Sequence, residues 1–542
     1  MTPQPDSPVD DDAFATALAA RIAAWSPDGS PAVAEAGRAL ALALAEGHVC
    51  LQSPELDPWL PALRASPLVG TPATVGLHPL VLAEDGNGSG DGPVGGADGP
   101  RLYLRRDFEL ESDLALRLAR LARVGRLSLV SGGPGSGKTT RVARMLVARL
   151  EASPGLRIGL AAPTGKAAAR LTEVMQQHPE SARLAALGPV QTLHRVLEAR
   201  AAGRRGGAAF GRHRSRPLAL DLLVVDESSM LDLGLAAALL DALPADGELL
   251  LVGDAGQLAA VEAGAVFAEL CAFDWSGIAP GLHLPLTGSH RYAADSPVAA
   301  LAAATRQGDA RAVSEVWQGL SADERIADDP SLQQALASGL APYVQALRAD
   351  PPDPAALHAA RRRFMVLAAQ HAGQRGTAAL NRRMSLLVQQ ALAIRPPPGP
   401  AGIEAWPGRP VLLQRNDAAL GLVNGDVGIV LPAPAGWDAV FEAPGGGLRR
   451  VALERLPAHD TGFAVTVHKA QGSEADTVLV VLPEPNSPLA RREWIYTAVT
   501  RARRRLLLAG TLESLIAAVT RPTPRHSGLS HRLRDALRSP LD

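Results

Sequence analysis

Lysine is nearly missing from this chain. Of 54 basic residues only three are lysine, Lys138, Lys166 and Lys469; the rest are arginine. Cysteine is as scarce, with Cys50 and Cys271 alone, which excludes a disulfide framework and a cysteine-rich zinc site. Aromatic residues make up only 4%. Charge of one sign is also lacking: the net charge is −1, so no global basic field surrounds the protein, and any polyanion must be met by local positive charge. No apolar run reaches the roughly 18 residues that suggest a membrane span. The amino terminus, MTPQPDSPVDDD, is acidic and proline-rich, without the basic and apolar regions of a signal peptide. A soluble, cytoplasmic chain is expected. At 542 residues it should hold three or four domains, and its 47% hydrophobic and 20% charged residues are ordinary for such a protein.

The arginine bias has a bland origin in base composition, but its three exceptions do not scatter. Each lysine falls inside a short motif that stands out on other grounds. Lysine is a compact point charge on a flexible stem, and arginine cannot copy it in a tight phosphate cradle.

Along the chain, residues 13–50 carry apolar positions at helical spacing, and a small helical amino-terminal domain is expected over residues 1–100. It ends in EDGNGSGDGPVGGADGP, residues 84–100, with seven glycines, which reads as a flexible linker. From residue 101 to 285 short β-rich runs (RLSLV, RIGLAAP, LDLLVVD, ELLLVGD) alternate with helix-like segments, as in an α/β domain with a parallel sheet. A basic, Gly-rich insertion breaks it at about 195–217. Residues 286–542 form a second α/β unit, mostly helical in pattern over 298–395. A β-rich insertion at about 406–460 has the look of a small barrel, and FAVTVHK, TVLVVLP and LLLAG then resume the unit.

GGPGSGKTT, directly after a strand, fits G-x-x-x-x-G-K-[ST]. Gly132, Gly133, Pro134, Gly135, Ser136 and Gly137 would turn backbone N–H groups around phosphate oxygens. Lys138 would reach the β- and γ-phosphates of ATP and Thr139 would ligate Mg²⁺, with Thr140 completing the cradle. The bland alternative is a chance Gly-rich turn. A second strand, LDLLVVDESSM, ends in Asp226, which would hold Mg²⁺, and Glu227, which would polarise the attacking water. Two carboxylates at the end of a strand buried on both faces are costly unless they face an ion; otherwise they are a charge pair opening a helix. In LLLVGDAGQL, Gln257 stands just past a strand, where an amide can sense the γ-phosphate.

In this order GGPGSGKTT, LAAPTGKAAARL, VVDESSMLDL, GDAGQLAAVEAGAVFAEL, SHRY, VHKAQGSEADTV and IYTAVTRARRRL resemble the superfamily 1 helicase motifs, and their flavour is that of the RecD-type helicases. The resemblance covers about residues 126–515. It implies two RecA-like P-loop domains that bind ATP between them and move 5′→3′ along single-stranded DNA. It further implies a small SH3-like barrel at the β-rich insertion, and RecB-like and RecC-like subunits as partners in a helicase–nuclease for double-strand break repair and recombination. The amino-terminal domain would dock onto the RecC-like partner. By the same resemblance Pro163, Thr164 and Lys166 would contact DNA, with a solvated helix start as the alternative. Arg291 and Arg501 would reach the γ-phosphate from the second domain. His468, Lys469, Gln471 and Gly472 match the segment that joins DNA contact to nucleotide, with Thr466 and Glu474 in the same network. Tyr496 reads as core packing rather than as a site residue. Trp406 and Phe463 are the candidates to stack on bases.

Two departures stand out. The family's adenine-reading glutamine has no counterpart between Arg101 and Leu127, and the usual S-[YF]-R-F reads Ser289-His290-Arg291-Tyr292. Three rival readings are weighed. A stand-alone RecD-like helicase carries a longer amino-terminal extension. A subunit with a silent ATPase has no need of Lys138, Asp226, Glu227, Gln257 and Arg501. A small-molecule P-loop kinase explains neither VHKAQGSE nor TAVTRAR. Nuclease chemistry is not expected of this chain, since no Asp/Glu/Lys metal cluster shows outside the ATP motifs.

Overall fold

The computed structural model describes residues 11–26, 31–74, 78–84, 99–185, 187–200, 210–288, 296–394, 404–417, 419–434, 436–443 and 446–539. None of the helices among them is long and apolar enough to cross a membrane.

The amino-terminal part opens with two packed helices, Asp11–Trp25 and Pro31–Ala45. Their apolar positions do not bury against each other alone. Val33 and Leu40 share a core with Leu51, Leu80, Leu82 and Leu102. These leucines come from a four-stranded sheet of β1 (Leu51–Gln52), β2 (Val69–Gly70), β3 (Leu80–Ala83) and β4 (Arg101–Leu104), in the order β1-β4-β3-β2. The small helical domain expected over residues 1–100 thus also holds a sheet, which extends past residue 100 to Leu104. β3 and β4 pair antiparallel, Leu80 opposite Leu104, so the glycine-rich stretch joins two strands of one sheet. Strands of two to four residues carry too little period-2 pattern to be read from sequence. Residues 85–98 of that connection lie outside the described residues.

After the helix Arg105–Arg123 comes a six-stranded parallel sheet: β5 (Leu127–Gly132), β6 (Ile158–Ala162), β7 (Gln191–Thr192), β8 (Leu222–Val225), β9 (Glu248–Gly253) and β10 (His283–Leu286), ordered β10-β5-β9-β8-β6-β7. Alternate residues feed two cores. Leu129, Leu223, Val225 and Leu251 face one side, and Val130, Val224, Leu250 and Val252 the other. Burial on both faces is why these strands read as continuous apolar runs. β7 has two residues and β10 contains a proline at the sheet edge, so neither was legible. In the basic insertion, Ala199 pairs with Phe210 and Glu198 binds Arg212 and Arg216 at 2.8 Å each; residues 201–209 lie outside the described residues.

The second parallel sheet holds β11 (Arg325–Ile326) and β12 (Phe364–Ala368) before an antiparallel insertion. The insertion contains β13 (Pro410–Leu413), β14 (Val427–Ala433), β15 (Gly436–Glu442), β16 (Leu448–Ala452) and β17 (His459–Thr461), ordered β16-β15-β14-β13-β17. β18 (Ala464–Thr466), β19 (Ala475–Val481) and β20 (Ala502–Ala509) then complete the order β11-β20-β19-β12-β18. β12 lies between β19 and β18, yet its five apolar residues stand in a stretch read as helical, and periodicity cannot separate so short a run from a buried helix. Trp406 and Phe463 stack on each other at 6.2 Å in the core beneath the insertion, 0% and 7% exposed. They have no face to offer a base, which removes them as DNA-stacking candidates.

The last helix, Leu529–Arg538, leaves the second sheet and packs on Arg105–Arg123. Leu529 and Leu533 enter the core of the first sheet, Arg532 binds the fully buried Glu111 at 2.8 Å, and Ser527 bridges Glu111 and Glu269. Burial, with Glu111 beside it, pushes the Glu269 carboxyl up to about 8. The end of the chain thus belongs spatially to the first sheet, which corrects its expected place in the second unit.

Candidate active site

Gly135 and Gly137 adopt left-handed backbone (φ 76° and 82°), which turns the loop after β5 into a cradle at the start of the helix Lys138–Ala152. A side chain at Gly132 would meet Ser136 Oγ at 2.5 Å, and one at Gly133 would meet the Tyr496 hydroxyl at 3.0 Å. Lys138 Nζ donates to the carbonyls of Gly132 and, at 3.0 Å, Gly133. Ser136 Oγ is buried without a hydrogen-bond partner. A buried orphan hydroxyl, a helix amino terminus and an ammonium on one loop fit a phosphate chain.

Asp226 and Glu227 close the carboxyl end of β8. Burial, reinforced by the charge of Glu227, pushes the Asp226 carboxyl up to about 6. Glu227 is one of three non-glycine residues described with positive φ, at 52°; its N–H donates to Asp226 Oδ1 at 2.9 Å. Such strain persists where the surroundings enforce it, here turning the carboxylate into a cavity of about 470 Å³ that Lys138, Thr139 and Asp226 also line. Oxygen donors from Thr139 and Asp226 suit Mg²⁺, which would offset the charge of the half-buried carboxylate pair.

The opposite wall comes from the second sheet. Arg501, 3% exposed, donates from Nη2 to Gln257 Oε1 at 3.0 Å, while Gln257 Nε2 donates to Asp254 Oδ2 at 3.1 Å. The Tyr496 hydroxyl donates to the same Asp254 oxygen at 3.1 Å. Leu258 N–H donates to Thr497 Oγ1 at 2.9 Å, and Gln471 Nε2 donates to Leu258 O at 3.2 Å. Three residues after β9, Asp254, Gln257 and Leu258, therefore take the second domain's grip, with the amide of Gln257 between the two carriers of charge.

At another edge of the cleft Thr164 caps the helix Gly165–Gln177, its hydroxyl accepting from Ala167 N at 3.3 Å. Pro163 precedes it and Lys166 lies in its first turn. Lys166 packs against Gly425 and Gly472, and burial, then Arg361, lowers its ammonium to about 8 despite Asp426. Lys469 from the second domain bonds to Gln414 Oε1, and burial lowers its acidity range too. His468 is exposed beside it. The lysines of two domains and the inserted sheet converge here.

Two family models match the chain: an AAA domain over residues 117–263 and a UvrD-like helicase C-terminal domain over residues 461–509. The RecBCD enzyme subunit RecD of Mycobacterium tuberculosis is 38% identical over 530 residues, covering 91% of this chain and 88% of that one. The chain belongs to the RecD family. The Haemophilus influenzae RecBCD enzyme subunit RecD is 31% identical, covering 75% of this chain and 70% of the relative. The ATP-dependent RecD2 DNA helicase of Deinococcus radiodurans is 34% identical over 76% of this chain but 50% of its own length.

Of the residues singled out from this RecD-family sequence, the cavity gathers Pro134 to Thr140, Asp226, Glu227, Gln257, Glu474 and Arg501. Arg291 lies outside the described residues. Gln471, expected to meet DNA, is 8% exposed, and its amide donates to Leu258 of the other domain. Tyr496 is in the core as expected, yet its hydroxyl also reaches across the cleft. None of the described residues that line the cavity comes from 101–127. That run packs on the amino-terminal sheet and the last helix. Sequence reasoning passed over Asp254, Thr497 and Arg170. Asp254 stood in a quoted motif, and Arg170 stands four residues after Lys166, but only the folded cleft shows what they meet.

Proposed function

We propose that this RecD-family helicase is the 5′→3′ motor subunit of a RecBCD-type helicase–nuclease acting in double-strand break repair and homologous recombination. ATP with Mg²⁺ would bind between two RecA-like domains, Thr139 and Asp226 holding the metal and Glu227 orienting water. Arg501, together with Arg291, would neutralise charge on the γ-phosphate as the cleft closes, which ties hydrolysis to domain movement. Pro163, Thr164, Lys166, His468 and Lys469 would track the DNA backbone. The observation that best supports a motor is the Gln257–Arg501 bond, because one amide then senses the nucleotide and the partner domain together.

RecB-like and RecC-like subunits are the proposed partners. Phe14 and Trp25, 47% and 50% exposed on the first helix, suit the amino-terminal domain to docking on the RecC-like one. The inserted antiparallel sheet would serve as an SH3-like barrel beside the DNA path. The test is unwinding by the isolated chain, or by its complex with a silenced RecB-like motor. Duplexes with a 5′ single-stranded tail should be opened. Preference for 3′ tails would overturn the polarity.

A further inference from the structure

Across the nucleotide cavity runs an ion pair that gives Glu474, expected only within the segment joining DNA contact to nucleotide, a partner in the first domain. Arg170 Nη1, from the first domain, lies 2.6 Å from Glu474 Oε1 of the second. The Glu474 side chain is 5% exposed, and its other oxygen accepts from Arg503 Nε at 3.2 Å. Arg170 follows Lys166 by four residues on the helix Gly165–Gln177, so both stand on one face, one at the DNA edge and one at the cavity. Glu474 follows Lys469 by five residues in the loop between β18 and β19. Each DNA-facing segment therefore ends in one half of the pair.

We infer that Arg170 and Glu474 are a positioning pair which transmits the state of the DNA edge to the nucleotide site. The inference rests on the motor reading above. A phosphate that draws Lys166 shifts the helix that carries Arg170, and Glu474 follows because a buried carboxylate separated from its guanidinium is costly. Glu474 is tied in turn to Arg503, two residues from Arg501, so the shift reaches the arginine that faces the P-loop. Asp226 also feels the charge of Arg170, which places the pair on the acidic side of the cavity. Lysine in place of Arg170 would keep the charge and lose the planar fork that holds a carboxylate.

The experiment compares Arg170→Gln, Glu474→Gln, the double variant and the exchange Arg170→Glu with Glu474→Arg in the full chain. Steady-state ATPase is measured against oligo-dT concentration. Each single change should lower kcat at saturating oligo-dT about tenfold, while KM for ATP moves less than about threefold. The double variant should be no worse than the weaker single one, and the exchange should recover at least about threefold, as a coupled pair requires. Losses that multiply in the double variant, or that fall on KM, would overturn the pairing while leaving a DNA-stimulated wild type intact. A wild type that oligo-dT does not stimulate would overturn the motor reading itself.

Discussion

The two ends of the interdomain cleft hold their charges in opposite ways. At the nucleotide end Arg501 and Gln257 are almost fully buried, and contacts from both domains hold their side chains. At the other end, where DNA is proposed to run, Lys166 and Lys469 are half-buried on flexible stems among Gln414, Asp426 and two glycines. Charge that develops at one atom during a reaction is best met by groups that need no rearrangement. A polyanion that must be gripped and released is better met by compact charges that can let go. Rigid preorganisation and adaptable contact lie side by side in one groove.

Lys138→Ala probes the rigid end and should have the largest effect, a loss of about a hundredfold or more in DNA-stimulated kcat with the fold intact. More than about a tenth of wild-type turnover remaining would break the contrast. Lys138→Arg should do nearly as much harm, because the cradle admits an ammonium and not a fork.

A region remote from both ends supplies the reference. Arg532→Ala leaves Glu111 buried without its guanidinium and should cost about 3 kcal/mol, read as a lower urea midpoint. DNA-stimulated kcat at 25 °C should stay within about twofold of wild type. Loss of activity without loss of stability would mean that the last helix takes part in the motor cycle.

Lys166 tests the adaptable end. Burial lowers its ammonium to about 8, whereas a bound phosphate favours the charged form. Binding then takes up a proton above that pH, so single-stranded DNA affinity should fall as pH rises through 8, by up to about tenfold per unit. Lys166→Arg should flatten that fall between about pH 8 and 9.5, since guanidinium stays charged. Lys166→Ala should reduce the salt dependence by about one phosphate contact. An unchanged pH profile in Lys166→Arg would return Lys166 to a solvated helix start.

The smallest effect is expected between nucleotides. With no cavity-lining group from 101–127 to read the base, kcat/KM for ATP and GTP in the presence of single-stranded DNA should differ by less than about tenfold. A preference for ATP above about a hundredfold, roughly 2.7 kcal/mol, would place a base reader elsewhere on the wall.

What was legible in the sequence was chemistry whose geometry is local. The P-loop needs glycines and a lysine at set intervals because consecutive N–H groups must converge on phosphate. Asp226 and Glu227 followed from a strand too apolar to end in charge without a reason. The strands β5, β6, β8 and β9 were readable because burial on both faces leaves continuous leucine and valine. Strand β12 was hidden by its length, and the sheet of the amino-terminal domain by strands of two to four residues.

The sequence by itself determined the glycine-rich loop that ends in Lys138, the two carboxylates that follow β8, and which segments alternate as strand and helix. Each of these depends on residues within a few positions of one another. Only the tertiary structure decided what meets across the cleft. Gln257 against Arg501, Gln471 on Leu258, Arg170 with Glu474 and Arg532 with Glu111 are joined over spans of about 200 to 420 residues. So too were Trp406 and Phe463 turned from exposed candidates into core. Spacing along a chain fixes neighbours one helical turn away; which surfaces close on each other depends on the packing of whole domains, where no local period records the partner.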